Sequence, residues 1–393
     1  MKRLLSLSLI ALGTLVSADI STQEFLYKDA RIMGMGAANT AVGGYSTSLF
    51  YNPAGLITIK KSHGYEVEVL GISASASQDM KTFVDDLDNA QTDQETIAVI
   101  KQHAGEVYNA TVSNYSSLSR HTEDDLAFSI GLLAAVDINL MPHAYGGANG
   151  LLETHSRVYG GVFVGGAKKF EQIANGDLTV GVSVKYITQN SYEAGLDEAE
   201  VLQHKDDLAT YIQDTYEVSN SGFGMDLGLL YEPYILKQWH PKIGLSVMNI
   251  GTLNFDDVYG VQPITFNMGI SVAPEVSYVD SLVIAVDYVD ITNEQQARVR
   301  NYNPYRSQDQ YDSVSIEYNF MQHFRAGLSL GLFDNKWITT TLNAGLYQGA
   351  YTAGIDFQLT LLKLQFSTYQ EQLGSTVGQL EDRRYVVGLG LGW

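Results

Sequence analysis

The 393-residue sequence has no cysteine, only 7 prolines and few charged residues, which make up 17% of the chain. The absence of cysteine excludes a disulfide scaffold, a thiol nucleophile and a cysteine-based metal site. Beyond residue 18 the sequence also lacks an apolar run long enough for a transmembrane helix. The chain is instead rich in glycine (37 residues) and tyrosine (25 residues), a composition that suits short alternating strands.

Positive charge is also scarce. The sequence has 24 lysines and arginines against 44 aspartates and glutamates, and its net charge is -20. Because nucleic-acid binding depends on basic side chains that displace counterions from phosphates, we expect no nucleic-acid partner. The eight histidines are scattered without a paired metal-binding spacing, so we expect neither a metal nor another cofactor.

The first eighteen residues have the pattern of a secretory signal peptide. Lys2 and Arg3 form a basic start, residues 4–16 form an apolar core, and Val16-Ser17-Ala18 is a small-residue cleavage site. The apolar core is too short to span a bilayer as a helix. We therefore expect residues 1–18 to direct export.

From residue 63 onward, apolar residues recur at every second position. In "DLTVGVSVKYI" (177–187), for example, Leu, Val and Tyr alternate with Thr, Gly, Ser and Lys. Alternation with period two indicates strands, and here the second face is mostly small residues with an occasional single charge. A soluble sandwich would expose a face rich in charge. The pattern therefore predicts an all-β fold, a transmembrane antiparallel barrel whose apolar face meets lipid.

Strand-sized windows number about fourteen, an even count as single-chain bacterial barrels have. They fall near 63–76, 108–119, 124–139, 153–168, 177–190, 219–232, 242–252, 264–274, 281–292, 311–320, 323–333, 336–348, 351–371 and 383–393. In the window 351–371 the alternation slips between Leu361 and Leu362, which indicates either a bulge or a tight hairpin.

The even count places three long connections, 77–107, 191–218 and 293–310, together on the extracellular side. The first two have apolar residues at helical spacing and many carboxylates, so we predict helical inserts in these loops. The last window, "RYVVGLGLGW" (384–393), alternates to its end at Trp393. It resembles the terminal signature by which outer-membrane barrels are recognised, which implies the barrel-assembly machinery as a partner.

A lumen of this size must be filled or gated, and the segment "ARIMGMGAANTAVGGYSTSLFYNPAGL" (30–56) is suited to that role. Its small residues allow close packing inside the wall, and Gly34 and Gly36 permit tight turns. Asn52-Pro53 fixes an extended or turn geometry just before the first strand. We therefore predict a plug, here called the hatch, over residues 19–62, followed by a barrel over residues 63–393.

The hatch sequence resembles that of the FadL-like superfamily of outer-membrane fatty-acid and hydrocarbon transporters, with Asn52, Pro53 and Ala54 matching the Asn-Pro-Ala motif of the family. The stretches "GLSVMNIG" (244–251) and "VIAVDYVD" (283–290) are similar to the PorV-like and TraF-like barrels of secretion and conjugation. The resemblance implies about fourteen strands, a hatch that gates passage and a ligand that leaves laterally through the wall.

Two functions follow as expectations. The first is passive uptake of hydrophobic small molecules (fatty acids or hydrocarbons) through a channel gated by the hatch. The alternative is a non-conducting partner barrel for secretion, attachment or conjugation. Enzymatic activity is not expected: Gly327-Leu328-Ser329-Leu330-Gly331 matches the hydrolase elbow motif, but Ser329 lies inside an uninterrupted alternation. The expected location is the outer membrane of a Gram-negative-type bacterium, surrounded by lipid and lipopolysaccharide.

A group of charged residues is predicted to face the lumen. Buried charges must be paired, so we favour a network that braces wall and hatch over a selectivity device. The group comprises Arg31 of the hatch and, at inward-facing wall positions, Lys185, Asp226, Asp287, Glu317, Arg325 and Asp356.

Overall fold

The computed structural model describes residues 20–21, 25–59, 65–147, 150–301, 311–335, 337–376 and 378–392. The predicted signal peptide and the terminal Trp393 lie outside the described residues.

Most of the described chain is β-strand. Numbered along the chain, the strands are β1 (Ile20–Ser21), β2 (Glu66–Ser77), β3 (Tyr108–His121), β4 (Leu126–Gly147), β5 (Gly150–Ile173), β6 (Gly176–Leu196), β7 (Glu217–Pro233), β8 (Lys242–Gly251), β9 (Thr265–Val272), β10 (Ser281–Tyr288), β11 (Gln296–Arg300), β12 (Tyr311–Ser315), β13 (Phe324–Asp334), β14 (Ile338–Tyr347), β15 (Ala350–Leu359), β16 (Leu362–Gln372) and β17 (Glu381–Gly392). Fourteen of these described strands form a closed antiparallel barrel in which β10 pairs with β13 and β17 pairs with β2.

The predicted count of fourteen is confirmed, but two of the predicted windows are wrong in compensating ways. The window 311–320 is not a wall strand, because β12 pairs with β11, and β11 pairs with β1, in a separate three-stranded sheet. The window 351–371 is two wall strands, since Leu359 pairs with Leu362 across a two-residue turn. The slipped alternation there marks a hairpin, with Thr360 in a left-handed conformation.

The connections differ sharply between the two ends of the barrel. The long ones, 78–107, 197–216 and 289–323, follow β2, β6 and β10 and therefore share one end, here called the long-loop rim. Connections at the opposite, short-turn rim include 122–125 and 360–361. This asymmetry is typical of outer-membrane barrels.

Two of the long connections are helical, as the sequence predicts. They contain α2 (Met80–Asn89), α3 (Asp93–Gln102), α4 (Glu198–Gln203) and α5 (Leu208–Tyr216). Earlier, α1 (Ala30–Gly34) lies in the hatch, and later, α6 (Phe320–His323) precedes β13. Within the described parts of the chain, no helix is both long and apolar enough to cross a membrane.

The helical inserts form one cap on the long-loop rim. Ile97 and Ile100 of α3 and Val201 of α4 pack with Leu151 and Leu152 of β5 in a buried cluster. Strands β4, β5 and β6 are 22, 24 and 21 residues long, so they extend well beyond the wall and support this cap.

The outer surface of the wall is apolar. Large exposed side chains at alternate positions include Ile130, Leu132, Val162, Val182 and Phe266. An apolar exterior on a closed sheet, in which every wall strand is paired on both sides, is the arrangement that a lipid bilayer requires.

The hatch fills the interior of the barrel. It runs from β1 at the long-loop rim to β2, which begins at the short-turn rim, and residues 25–59 are almost all buried. Its apolar side chains share one core with inward-facing wall residues such as Leu133, Phe163 and Leu230. The described hatch thus occupies the lumen from one end to the other.

Candidate functional site

The Asn52-Pro53-Ala54 motif fastens the hatch to itself and to the wall. Asn52 lies in extended backbone before a 3-10 helix (Pro53–Thr58), and its Oδ1 accepts a 3.0 Å hydrogen bond from the Ala54 amide. Its Nδ2 donates to the Thr40 carbonyl at 2.7 Å and to the Leu229 carbonyl of β7 at 3.1 Å. One side chain therefore joins two hatch segments and one wall strand.

The wall meets this motif with a pair of glycines. Gly181 of β6 and Gly228 of β7 are directly opposite each other in the sheet. A Cβ atom on Gly228 would lie 2.0 Å from Asn52 Oδ1, and one on Gly181 would lie 2.2 Å from the Ala54 amide nitrogen. The hatch backbone can approach the wall here only because both side chains are absent.

The predicted hatch glycines lie against other glycines of the wall. Gly327 of β13 and Gly345 of β14 are paired, and a Cβ on Gly327 would lie 2.2 Å from the Met35 carbonyl oxygen. Gly36 has a φ of +69° and would clash with the wall carbonyl of Ala326 if it carried a side chain. This close contact explains the glycine at the start of the Gly327–Gly331 stretch, which lies inside a wall strand and does not form the sharp turn of a hydrolase nucleophile.

Gly34 is held from another strand. Its carbonyl accepts a 2.8 Å hydrogen bond from Thr352 Oγ1 of β15. A Cβ atom on Gly34 would lie 3.0 Å from the Cα of Gly354 in the same strand. The predicted hatch residues thus contact wall strands on two sides of the lumen, β6 and β7 at the motif and β13, β14 and β15 at α1.

Lys185 and Asp226 form a buried ion pair in the wall facing the lumen. Lys185 Nζ lies 2.7 Å from Asp226 Oδ1 and donates to Asn249 Oδ1 at 2.6 Å. The second carboxylate oxygen accepts from Ser183 Oγ at 2.6 Å. Both charges are therefore matched and hydrogen-bonded, as a buried pair requires.

Breaking this pair will destabilise the barrel. Lys185→Met leaves an uncompensated carboxylate in the lumen, and we expect a loss of about 3–5 kcal/mol in the free energy of unfolding, measured by urea titration in lipid vesicles. Lys185→Met combined with Asp226→Asn removes both charges and should recover most of the loss. Lys81→Met, at an exposed lysine of α2, is the control and should change little. Equal stability of the single variant and the control would contradict the assignment.

Asp287 and Arg325 are opposite each other on β10 and β13, but they contact different groups. Asp287 Oδ2 accepts a 2.7 Å hydrogen bond from the Thr40 amide of the hatch. The Arg325 guanidinium stacks 4.3 Å from the ring centre of Tyr347 and donates to the Gln322 carbonyl at 2.6 Å. Asp287 and Asn52 therefore bind the same hatch residue: Asp287 accepts from the Thr40 amide, and Asn52 donates to the Thr40 carbonyl.

Arg31 and Asp356 lie closer to the short-turn rim. The Arg31 guanidinium stacks 3.8 Å from the ring centre of Tyr45, and Asp29 caps α1 by accepting from the Arg31 amide at 2.9 Å. Asp356 accepts a 2.6 Å hydrogen bond from Asn343 Nδ2.

Glu317 does not belong with the other predicted lumen residues. It is exposed, follows β12 and lies outside the wall, where its amide donates to the Ser375 carbonyl at 2.9 Å. The lumen position predicted for Glu317 depends on a wall strand at 311–320, and β12 pairs with β11 outside the wall. The prediction for Glu317 is therefore wrong.

The structure also reveals a buried ionic group under the long-loop rim that sequence reasoning missed. Arg298 of β11 binds Glu193 of β6 through two contacts of 2.9 and 3.0 Å. His155 of β5 lies between Glu193 and Glu153, at 3.2 and 3.1 Å. This group fastens the three-stranded sheet, and with it β1, to the wall.

Aromatic side chains form the interface between hatch and wall at mid-height. Phe50 of the hatch lies between Tyr115 of β3 and Phe163 of β5, with ring centres 4.9 and 4.7 Å away. Tyr27 joins the same cluster, 5.5 Å from Tyr115. All of these side chains are buried.

Beside this cluster, the pairing of β2 with β3 is interrupted. Glu68 pairs with Ser117 and Ile72 pairs with Asn114, while the residues between Glu68 and Ile72 have no ladder partner on β3. Two side chains bridge the strands there: Asn114 Oδ1 accepts from the Gly71 amide at 3.2 Å, and Ser116 Oγ donates to the Val69 carbonyl at 2.9 Å. A cavity of about 60 Å³ lies behind the interruption, lined by Arg31, Tyr115 and residues of β2.

Solved structures of three channels match this architecture. The chain aligns with a mutant (deltaS2S3) of the Pseudomonas putida monoaromatic hydrocarbon channel TodX at 12% identity and a TM-score of 0.55, covering 93% of this chain and 99% of that one. The Ralstonia pickettii toluene transporter TbuX aligns at 13% identity and 0.52, covering 93% and 98%. The CymD monoaromatic hydrocarbon channel aligns at 12% and 0.50, covering 96% and 98%. This chain has the barrel fold of these channels.

At these identities the likeness concerns the fold. No protein-family model matches the chain, and no curated protein matches it in sequence. The sequence-based resemblance to the FadL-like superfamily is confirmed at this level, together with the all-β class and the fourteen-strand barrel.

Proposed function

We propose that this protein is an outer-membrane channel for the passive uptake of hydrophobic small molecules, and that the hatch closes it in the conformation described here. The apolar exterior of the wall supports a place in a membrane. The fold is shared with proteins named as hydrocarbon channels and a toluene transporter, which supports transport of a related class of molecule.

The observation that carries the proposal is the interrupted pairing of β2 and β3 next to the hatch–wall aromatic cluster. A hydrophobic molecule that displaces Phe50 or Tyr27 would meet the rings of Tyr115 and Phe163, which are suited to small apolar and planar molecules. From there the interruption offers a lateral way into the bilayer. The side chains of Asn114 and Ser116 bridge the strands at that point, where β2 has no ladder pairs with β3.

Gating by the hatch can be tested with a reversible covalent lock. A Cβ on Gly34 would lie 3.4 Å from the Asn343 Cβ of β14, close to the separation of about 3.5–4.5 Å in disulfides. The chain has no other cysteine, so a Gly34→Cys, Asn343→Cys pair forms a single defined bond. We expect uptake of a hydrophobic dye to be low in the oxidised protein and to rise several-fold on reduction.

The matched controls are the two single-cysteine variants, in which reduction should change nothing. If the double variant is fully cross-linked and still takes up dye at the rate of its reduced form, the hatch is not the gate. Retained heat-resistant migration on gels before boiling would show that each variant is folded.

The alternative, a non-conducting partner barrel for secretion, attachment or conjugation, is favoured by one feature of the lumen. Three cavities between the described parts of hatch and wall measure about 60, 20 and 10 Å³, whereas ligand pockets are usually about 300–1,000 Å³. Uptake therefore requires the hatch to move, and a dye flux that stays at background in the parent and in the reduced double variant would favour the partner barrel.

A further inference from the structure

One sector of the wall is too short to match a bilayer. Strands β9 and β10 have 8 residues each. At about 3.3 Å per residue and a tilt of about 40°, each strand provides roughly 20 Å of height, whereas the apolar band of an outer-membrane barrel is about 25 Å tall. The missing height must come from thinner lipid or from the connections that border these strands.

Two connections at the short-turn rim carry an exposed apolar surface in this sector. They are residues 234–241, between β7 and β8, and residues 273–280, between β9 and β10. The side chain of Leu236 is 64% exposed and that of Tyr278 is 96% exposed. Together with Ile235, Trp239 and Val276, which are also exposed, they form what is here called the short-rim surface.

Part of the backbone of these connections is paired by hydrogen bonds, some of them between the two connections. The Ala273 amide donates to the Trp239 carbonyl at 2.7 Å, and the Glu275 amide donates to the Gln238 carbonyl at 3.3 Å, so the two connections pair with each other. Within 234–241, the Trp239 amide donates to the Leu236 carbonyl at 2.7 Å. Paired polar groups lower the cost of placing irregular backbone next to lipid.

The conformation of the first connection keeps its apolar side chains outward. Leu236 and His240 both have left-handed backbone, with φ of 50° and 41°, which is unfavourable for residues other than glycine. Such strain persists only where the surrounding structure imposes it and usually marks a position with a role. The outward-facing Ile243 at the start of β8 is exposed as well, so the short-rim surface continues the lipid-facing wall.

The opposite side of the same rim has a different character. The turn between β3 and β4, residues 122–125, contains Glu123, Asp124 and Asp125, and no large apolar side chain is described within it. Carboxylates favour water over the bilayer interface. The turn between β3 and β4 is therefore acidic, whereas the two connections of the short-rim surface have more large apolar side chains than carboxylates, which are Glu275 and Asp280.

We propose that the short-rim surface is embedded in the interfacial region of the membrane leaflet at this rim, where it completes the apolar height of the wall beside β9 and β10. Its partner is the lipid bilayer, at the level where headgroups meet acyl chains. Aromatic and aliphatic side chains with a nearby cation, here Lys237 beside Tyr234, are the residues that bind this region. The proposal does not depend on whether the barrel conducts.

Tryptophan fluorescence can test the proposal, because the chain has 3 tryptophans, Trp239, Trp337 and Trp393. Trp337→Phe with Trp393→Phe leaves Trp239 as the reporter. In a tryptophan-free background, Tyr278→Trp places a second reporter in the short-rim surface. Tyr145→Trp, at a tyrosine that is 85% exposed at the end of β4 on the long-loop rim, is the matched control.

Each variant is refolded into phosphatidylcholine vesicles and into vesicles of the same lipid brominated near the headgroup end of the acyl chains. We expect brominated lipid to reduce the emission of Trp239 and of Tyr278→Trp by about half or more, because both lie at the interface. Iodide in the water should quench them only weakly, while Tyr145→Trp shows the reverse pattern.

The proposal is wrong if Tyr278→Trp is quenched by iodide and unaffected by brominated lipid, like the control. That outcome would leave the surface in water and open to a protein partner. Trp239 is partly covered by protein, so both agents can quench it weakly wherever the surface lies. In that case the response of Tyr278→Trp decides between lipid and water. Heat-resistant migration of all variants shows that they are folded.

Discussion

Gly228→Ala is expected to open the channel while leaving the wall intact. A Cβ at this position would lie 2.0 Å from Asn52 Oδ1, whereas ordinary contacts begin near 3.4 Å, so the motif must shift by about 1.4 Å. Overpacking of this kind costs about 1–3 kcal/mol. If the wall is rigid, that cost falls on the closed hatch and moves the closed-to-open ratio by roughly 5- to 150-fold.

The measurement is ion leak in planar bilayers together with dye uptake in vesicles, both compared with Gly166→Ala. Gly166 belongs to β5, which is separated from β7 by β6. It faces outward, and the nearest atom to its added Cβ is the Ala127 carbonyl oxygen at 3.4 Å. This control adds the same methyl group to the same wall without touching the hatch. A folded Gly228→Ala protein that leaks no more than Gly166→Ala would show that the glycine pair does not control closure.

Loss of the hatch anchorage should have the largest effect. Asn52→Ala with Pro53→Gly removes three hydrogen bonds, including the bond to the Leu229 carbonyl, and frees the backbone before the 3-10 helix. We expect both leak and uptake to rise, because each lost buried bond weakens closure by about 1 kcal/mol. Deleting residues 30–54 empties most of the lumen and should raise the leak roughly tenfold or more.

The wall should survive both changes, because its strands are paired in a closed ring. Folding is checked by resistance to heat and protease, with the parent protein as the reference. If both variants insert normally yet leak as little as the parent, the hatch is a structural filler and the partner-barrel function takes precedence.

Period-two alternation predicted most of the wall, because a strand with one lipid-facing side has apolar residues at every second position whatever strand it pairs with. Register and pairing partners leave no such record. The window 311–320 alternates like a wall strand, yet its strand β12 pairs with β11 above the rim. The short turn at Thr360 carries no glycine or proline, so only the slipped alternation indicated it.

The functional residues were predictable to different degrees. Asn52 and Pro53 stood out because their side chains act on nearby backbone, within a few residues along the chain. The pairing of Gly181 with Gly228 could not be predicted, because the register of β6 and β7 must be known before the two glycines can be placed side by side. The group of Arg298, Glu193 and His155 was missed for the same reason, because it joins β11 to β6 across 105 residues of sequence.

The passage of the chain through its own barrel constrains the order in which the protein can assemble. The hatch is attached at one end to β1, in the sheet on the long-loop rim, and at the other to β2, the first wall strand. β2 also pairs with β17, so the ring closes at the junction of its first and last strands. Once β2 and β17 have paired, the inward-facing side chains of the wall leave too little room for residues 25–59 to pass. Inserting this segment would then require the wall to reopen. The segment must therefore be in place while the sheet is still open, and the β2–β17 junction should be the last part of the wall to form.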